Sequence, residues 1–319
     1  MYMDTNILIV GANGQLGSVL TKSLQEKFGV EHVVASDLRE KENADGIFEI
    51  IDATDRNRIE SVVKQYKITQ IYHLAAILSA RGEENPLQTW DINMQTLFNV
   101  LEVARLNEVV KVFYPSSIAV FGEGANQTQT PNDAYLDPAT VYGISKAAGE
   151  NWAQYYFLRY GLDVRSLRYP GVIGYQSLPG GGTTDYAVDI YHKAVLEEEF
   201  NCFLEEDTML PMIFMEDAVR ATLELMDAPK EHIKVRTSYN LAGASFAPKD
   251  IAAALQKIYP KFEVKYTPDF RQKIAAKWPN SIDDSSARDD WGWQPEYDLN
   301  RMTQVMVEKL KLQYEINPT

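Results

Sequence analysis

A single cysteine, Cys202, stands in 319 residues. It cannot close an internal disulfide or build a cysteine-based metal site, and it suits a reducing, cytoplasmic setting. Histidine is nearly as scarce. His32, His73, His192 and His232 fall at none of the spacings that metal sites use, so no metal is expected. Apolar runs are short, well under the roughly 20 residues a membrane-crossing helix needs. Met1-Tyr2-Met3-Asp4-Thr5 leads straight into an apolar stretch, with no basic-then-apolar leader; a presequence already removed is the alternative. Positive charge is in deficit, with 31 Lys and Arg against 45 Asp and Glu and a net charge of -14. Such a chain repels phosphate backbones, so nucleic acid is not an expected partner, and the charge is read as serving solubility.

What is present is an alternation. Ile7 to Val10, Val33 to Ser36, Phe48 to Ile51, Gln70 to Leu74, Val110 to Tyr114 and Val164 to Leu167 read as strands, apolar along their length. Between them Gly17 to Lys27, Arg58 to Tyr66, Pro86 to Leu106 and Thr140 to Arg159 read as helices. Strands alternating with helices at this spacing predict βαβ units, and continuous apolar strands predict burial on both faces. The expected class is α/β, a Rossmann-like doubly wound parallel sheet. Pro179-Gly180-Gly181-Gly182 reads as a flexible break. Beyond it the alternation loosens, with helices at Glu216 to Met226, Lys249 to Ile258 and Leu299 to Leu312. The expected division is a dinucleotide-binding domain over 1–178, its sheet completed by later segments, and a smaller, mainly substrate-binding lobe over 179–319.

Three features carry chemistry. Gly11, Gly14 and Gly17 form G-x-x-G-x-x-G between a strand and a helix, with Asn13, Gln15 and Leu16 among them. Glycines let backbone approach a pyrophosphate, and the helix start offers free N–H groups and a positive dipole end. Asp37 closes the second strand 20 residues after Gly17, where an acid would bond the adenosine ribose. A carboxylate there repels a 2′-phosphate, which favours NAD, although Arg39 two residues on is of the type that holds that phosphate. Asp52, with Ala53 beside it, is a candidate for the adenine end; a plain cap or turn is the alternative. Leu74-Ala75-Ala76 would let backbone lie close to the cofactor. Tyr142 and Lys146 are four residues apart and share a helix face. An ammonium close by lowers a phenol's pKa toward use as a base. Ser117, 25 residues before Tyr142 and just past the fifth strand, would bring its hydroxyl to the same sheet end.

Together these motifs resemble the extended short-chain dehydrogenase/reductases over essentially the whole chain. The matching segments are the glycine loop, Asp37, His73-Leu74-Ala75-Ala76, Asn93, Pro115-Ser116-Ser117-Ile118-Ala119-Val120-Phe121-Gly122, Tyr142 with Lys146, and Arg168-Tyr169-Pro170-Gly171. The resemblance implies Ser117, Tyr142 and Lys146 as a catalytic triad, Asn93 as support for the lysine through water, and Tyr169 and Pro170 as cofactor contacts. It also implies a homodimer paired through the Pro86 to Leu106 and Thr140 to Arg159 helices, whose Trp152, Tyr155 and Tyr156 look exposed. Within the family the run Leu178 to Ala187, Trp278-Pro279-Asn280-Ser281 and Ser79 are similar to the L-threonine 3-dehydrogenase branch. That branch implies NAD-dependent oxidation of L-threonine at its β-hydroxyl to 2-amino-3-ketobutyrate, with Ser79, Gly182, Thr184 and Trp278 joining Ser117 and Tyr142 around the substrate. No arginine stands out as partner for the substrate carboxylate; Arg81 is near Ser79 in sequence, which is not geometry. Nucleotide-sugar enzymes usually carry an asparagine after the sixth strand, where this chain has Pro170-Gly171, and Glu197-Glu198-Glu199 is read as a further sign against such a substrate. The alternatives are a nucleotide-sugar epimerase or dehydratase on the same fold, an enzyme for another β-hydroxy acid or alcohol, and a catalytically inactive NAD-sensing regulator.

Overall fold

Ile7–Val10 (β1) is buried along its whole length, and that follows from its neighbours. Ile7 and Ile9 pack with Leu20 and Leu24 on one face of a sheet, while Leu8 and Val10 pack with Val62, Leu97 and Leu101 on the other. Successive side chains of a strand point to opposite faces, so a strand covered by helices on both sides must be apolar throughout. The structure is a computed structural model and describes residues 5–40, 45–180 and 182–316.

From the start of the chain the elements run α1 (Gln15–Phe28), β2 (Val33–Asp37), β3 (Ile47–Ile50), α2 (Arg56–Gln65), β4 (Gln70–His73), a short α3 (Ser79–Gly82), α4 (Pro86–Leu106), β5 (Lys111–Ser117), α5 (Val141–Tyr160), β6 (Asp163–Tyr169) and β7 (Gly171–Ile173). There follow α6 (Tyr186–Val195), β8 (Phe200–Cys202), β9 (Leu210–Phe214), α7 (Met215–Asp227), β10 (Tyr239–Asn240), β11 (Ala244–Phe246), α8 (Pro248–Gln256), β12 (Val264–Tyr266), α9 (Phe270–Ala275), α10 (Ser285–Trp291) and α11 (Leu299–Ile316).

Seven strands form one sheet in the order β10-β6-β5-β4-β1-β2-β3, every neighbouring pair parallel. This is the expected Rossmann-like doubly wound sheet. Strand order reverses between β1 and β4, so a crevice opens there at the carboxyl ends of the strands. The seventh strand, β10, comes from the second half of the chain, and α7 packs on α1 and β6. A separate apolar cluster joins α6, α8 and α11 to the small β11-β9-β7 and β12-β8 sheets, above the turn that follows β5.

Two local expectations change. β5 runs three residues beyond Tyr114, through Pro115, Ser116 and Ser117, because β6 pairs with it as far as Tyr169. Proline fits there because β4 pairs with β5 only as far as Phe113, leaving the other side of Pro115 with no ladder bond to lose. The stretch expected to be a flexible break is tied on both flanks. Gln15 Nε2 donates to the Leu178 carbonyl at 3.2 Å, and the Gly182 N–H donates to Asp185 at 2.8 Å. Gly181 lies outside the described residues.

Candidate active site

The crevice begins at the glycine turn. Gly11 has φ +96°, and a Cβ on it would lie 2.7 Å from the Ala75 nitrogen; a Cβ on Gly17 would lie 2.2 Å from the Gly11 carbonyl oxygen. No other residue fits either position without moving backbone. No side chain caps the start of α1, and its first turn carries no acid. The first N–H groups of that helix and its positive dipole end are thus left for an anion. Beside them, Asp37 accepts the Asn13 N–H at 3.0 Å and the Leu38 N–H at 2.8 Å, while Asn13 Nδ2 donates to the Arg39 carbonyl at 2.8 Å. A close backbone approach, an uncapped helix start and an acid at the end of β2 fit the pyrophosphate and ribose of a dinucleotide.

The cleft runs from this turn to the end of β5 and the start of α5. There the Ser117 hydroxyl and the Tyr142 phenol line the same wall of the cleft. The Ser117 oxygen accepts the Ala119 N–H at 3.2 Å. Lys146 Nζ donates to the Pro115 carbonyl at 2.6 Å, and lies 4.6 Å from the Tyr114 ring centroid and 5.5 Å from that of Tyr142. Burial pushes the Tyr142 phenol up to about 12, opposed by the neighbouring Ser117 hydroxyl. Burial also pulls the Lys146 ammonium down to about 7, opposed by the charge of Glu150. Lys146 was expected to lower the phenol. In this arrangement Ser117 opposes the burial instead, because the ammonium is turned onto Pro115.

Across the cleft stand Ser79, Thr183, Thr184, Asp185 and Trp278. Lys146 and Asp185 supply charges of opposite sign. Residues 7–242 match the family model described as the NAD dependent epimerase/dehydratase family. The chain belongs to that family. An L-threonine dehydrogenase of Cupriavidus necator, solved in its holo form, is 52% identical, with 96% of this chain and 100% of that one covered and a TM-score of 0.95. A monomeric L-threonine 3-dehydrogenase from a metagenome, in its apo form, is 46% identical over 96% and 99% of the two chains, with a TM-score of 0.94. A protein of Staphylococcus saprophyticus, described as an uncharacterized epimerase/dehydratase, is 45% identical over 96% of this chain and 97% of its own.

In this family member most of the residues expected at the site line one cleft: Gly11, Gly14, Gln15, Leu16, Gly17, Leu74, Ala76, Ser79, Ser117, Tyr142, Lys146, Tyr169, Pro170, Gly182, Thr184 and Trp278. Tyr169 turns its hydroxyl away, onto Thr222 of α7, leaving its ring and backbone to the cleft. Ala75 lies behind the wall, where its backbone lets Gly11 pack close. Asn93 also stands behind it. Its Oδ1 accepts the Ile77 N–H at 2.8 Å and its Nδ2 reaches Ser145 at 3.3 Å, so it fixes the loop after β4 to α5. Asp52 caps its own turn, accepting from the Thr54 N–H at 2.8 Å and the Thr54 hydroxyl at 2.7 Å, and Ala53 gives its carbonyl to Asn99 at 3.0 Å.

Arg81 is exposed and lies outside the cleft lining. Two readings are corrected. The Glu197 to Glu199 run lines a separate surface groove, with Glu198 paired to Lys193 and Glu199 to Lys265, so it carries no information about the substrate. Tyr156 is buried and donates to Glu102 at 2.7 Å, whereas Trp152 and Tyr155 are exposed as expected.

Sequence reasoning passed over two residues. Thr183 is buried in the cleft wall with its hydroxyl 3.3 Å from that of Ser79; its neighbour Thr184 drew the attention because only one of two adjacent threonines was matched. Glu150 is wholly buried behind the reacting groups and paired with Arg168. Its signal was present, one helical turn beyond Lys146 on the Tyr142 face, where an unpaired acid would not be tolerated.

Proposed function

We propose that this family member is an NAD-dependent oxidoreductase that oxidises L-threonine at its β-hydroxyl to 2-amino-3-ketobutyrate. The observation that carries the reading is one cleft in which the Ser117–Tyr142 pair faces Ser79, Thr183, Thr184 and Trp278, directly beside the glycine turn. High identity to L-threonine dehydrogenases along nearly the whole chain supports it.

In this reading the turn at Gly11, Gly14 and Gly17 and the start of α1 hold the pyrophosphate. Asp37 bonds the adenosine ribose, and Leu74, Ala76, Tyr169 and Pro170 line the path toward the nicotinamide. NAD, when bound, supplies the acceptor for the hydride leaving the threonine β-carbon, together with a positive charge. Ser117 holds the β-hydroxyl and polarises the growing carbonyl. Tyr142 takes the hydroxyl proton as its phenolate. Lys146, once turned from the Pro115 carbonyl toward the cofactor, reaches the nicotinamide ribose and stabilises that phenolate. The hydroxyls of Ser79 and Thr183 suit the carboxylate of the amino acid, while Trp278 forms an apolar wall for the methyl group. Residues 179–319 mostly build the substrate lobe, with α7 and β10 returned to the dinucleotide-binding part.

We further propose a homodimer through α4 and α5. Trp90, Trp152, Tyr155, Leu158 and Leu87 leave an apolar and aromatic face exposed on these two adjacent helices, larger than a lone surface residue explains. Light scattering at micromolar concentration should give twice the chain mass, and a monomer mass overturns it.

The test of function is NADH formation with L-threonine, L-serine, L-allo-threonine, simple alcohols and UDP-sugars. L-Threonine is the expected substrate. Serine lacks the methyl contact, worth roughly 1–3 kcal/mol or about 10–200-fold. Inversion at the β-carbon of allo-threonine separates the hydroxyl from Ser117 or the hydrogen from the nicotinamide. Reaction of a UDP-sugar with no reaction of threonine overturns the substrate while leaving the Tyr142 chemistry standing.

A further inference from the structure

Three consecutive residues at the end of β5 each meet one residue of α5. The Ser117 hydroxyl comes close enough to the Tyr142 phenol to act on it, the Pro115 carbonyl accepts from Lys146 at 2.6 Å, and the Ser116 hydroxyl donates to Glu150 at 2.5 Å. Tyr142, Lys146 and Glu150 are spaced four residues apart, so all three lie along one helix face. The first two contacts involve the proposed reacting groups, whereas the third involves a carboxylate to which the proposed reaction gives no part.

Glu150 is an expensive residue to keep there. It is 0% exposed, and a buried charge costs free energy unless it is fully bonded. Its remaining bonds are supplied by Arg168 on β6, from Nε at 2.9 Å and Nη2 at 2.7 Å. Arg168 is anchored in turn by the Asn132 carbonyl at 2.7 Å and by Asn240 Oδ1 at 3.1 Å. Asn240 then donates to the carbonyls of Thr130 and Asp283 at 2.9 Å and 3.0 Å, next to the chain that carries Trp278. The carboxylate thus cannot follow α5 if that helix slides, and the helix cannot slide without breaking its bonds.

The charged and titratable groups around the Lys146 ammonium come from several elements. Tyr142 and Glu150 lie one turn to either side on α5. The ring of Tyr114, on β5, lies 4.6 Å away, and His73, on β4, stacks on Tyr114. His73 is held down at about 3 by burial first and by Lys146 second, so it stays neutral. Of the Glu150–Arg168 pair it is the carboxylate whose charge reaches Lys146, raising its hold on the proton against burial.

We propose, on the reading that Tyr142 and Lys146 are the reacting pair, that Glu150, fixed by Ser116 and Arg168, is a positioning residue with two effects. It keeps the Lys146 side chain charged, and it sets the register in which Ser117 meets Tyr142. Removing its charge favours the neutral amine, which can neither stabilise a phenolate nor hold a ribose hydroxyl as a cation does.

The experiment follows the 13Cε resonance of Lys146 in lysine-labelled protein, assigned by its loss in Lys146→Arg, as pH is varied. The pH profile of kcat for threonine oxidation is recorded beside it. Glu150→Gln should move the Lys146 midpoint down by roughly one pH unit. It should lower kcat by about tenfold or more while KM for threonine stays within about twofold. Glu150→Asp should restore the midpoint but not kcat, since it keeps the charge and loses the reach. Ser116→Ala should lower kcat at an unchanged midpoint. A folded Glu150→Gln with the midpoint and kcat of the parent overturns the proposal. Should that single variant fail to fold, Glu150→Gln/Arg168→Gln removes both charges, and an unmoved midpoint there overturns it equally. An active Tyr142→Phe would defeat the reaction reading instead and leave the titration untouched. An inactive Tyr142→Phe with an unmoved Glu150→Gln midpoint defeats this inference alone.

Discussion

Ser79 and Thr183, 104 residues apart in the chain, bring their hydroxyls to 3.3 Å inside the cleft. Both are buried there, where an isolated hydroxyl would have no reason to sit. The pair joins the loop after β4 to the segment entering α6, so the two sides of the substrate end meet at this bond. Ser79→Ala is expected to raise KM for threonine about tenfold, with NAD binding unchanged, since one hydrogen bond to a charged group is worth about 1.5–3 kcal/mol. Steady-state kinetics beside an NAD titration checks this. Weaker NAD binding with an unchanged KM would move Ser79 to the cofactor end.

Cofactor choice turns on Asp37. Its carboxylate is held in place by the Asn13 and Leu38 N–H groups, next to where an adenosine ribose would lie. A 2′-phosphate would bring a second anion against it. The ratio of kcat/KM for NAD over NADP should be large in the parent and fall by about tenfold or more in Asp37→Ala. Equal values in the parent would mean that Arg39 prevails.

Gly17→Ala tests the glycine turn without touching the reacting groups. The added methyl would lie 2.2 Å from the Gly11 carbonyl oxygen, so the turn must open. Overpacking of this kind costs about 1–3 kcal/mol. The expected outcome is a lower melting temperature together with weakened NAD binding. Unchanged NAD affinity would remove the pyrophosphate from this turn.

The pH dependence follows from Tyr142. Burial holds its phenol up at about 12, and only the deprotonated form can take a proton. The fraction of active base therefore rises with pH, while the Lys146 ammonium, pulled down to about 7, is lost above that value, so the oxidation rate should climb to about pH 7 and level off beyond it. A profile flat below about pH 7 argues for another base.

The sheet was legible because its inner strands, Ile7–Val10 above all, are apolar on both faces, as a parallel sheet covered by helices demands. The seventh, Tyr239–Asn240, is two residues long, too short for any period to show. Ser117 was legible as a site residue but not as part of a strand, since Pro115 normally argues against one. Pro115 is admitted because β4 has already stopped pairing there, which is a property of two strands together. The glycine turn, Tyr142 and Lys146 were visible as local patterns. Thr183 was not, because its partner, Ser79, lies 104 residues away; Glu150 showed its place on the Tyr142 face, but its partner, Arg168, lies on another strand 18 residues on. Tyr156 looked as exposed as Tyr155, and only its bond to Glu102 separates them.

The central claim is that Tyr142 is the base in oxidation of L-threonine by this chain. The most direct measurement is NADH formation from L-threonine by parent and Tyr142→Phe protein, with NAD affinity measured on both. The ring of the variant preserves the packing and loses only the hydroxyl. The account predicts NADH formation by the parent, a fall in kcat of about a thousandfold or more in the variant, and NAD affinity within about twofold. Turnover of threonine by Tyr142→Phe at the parent rate would contradict it.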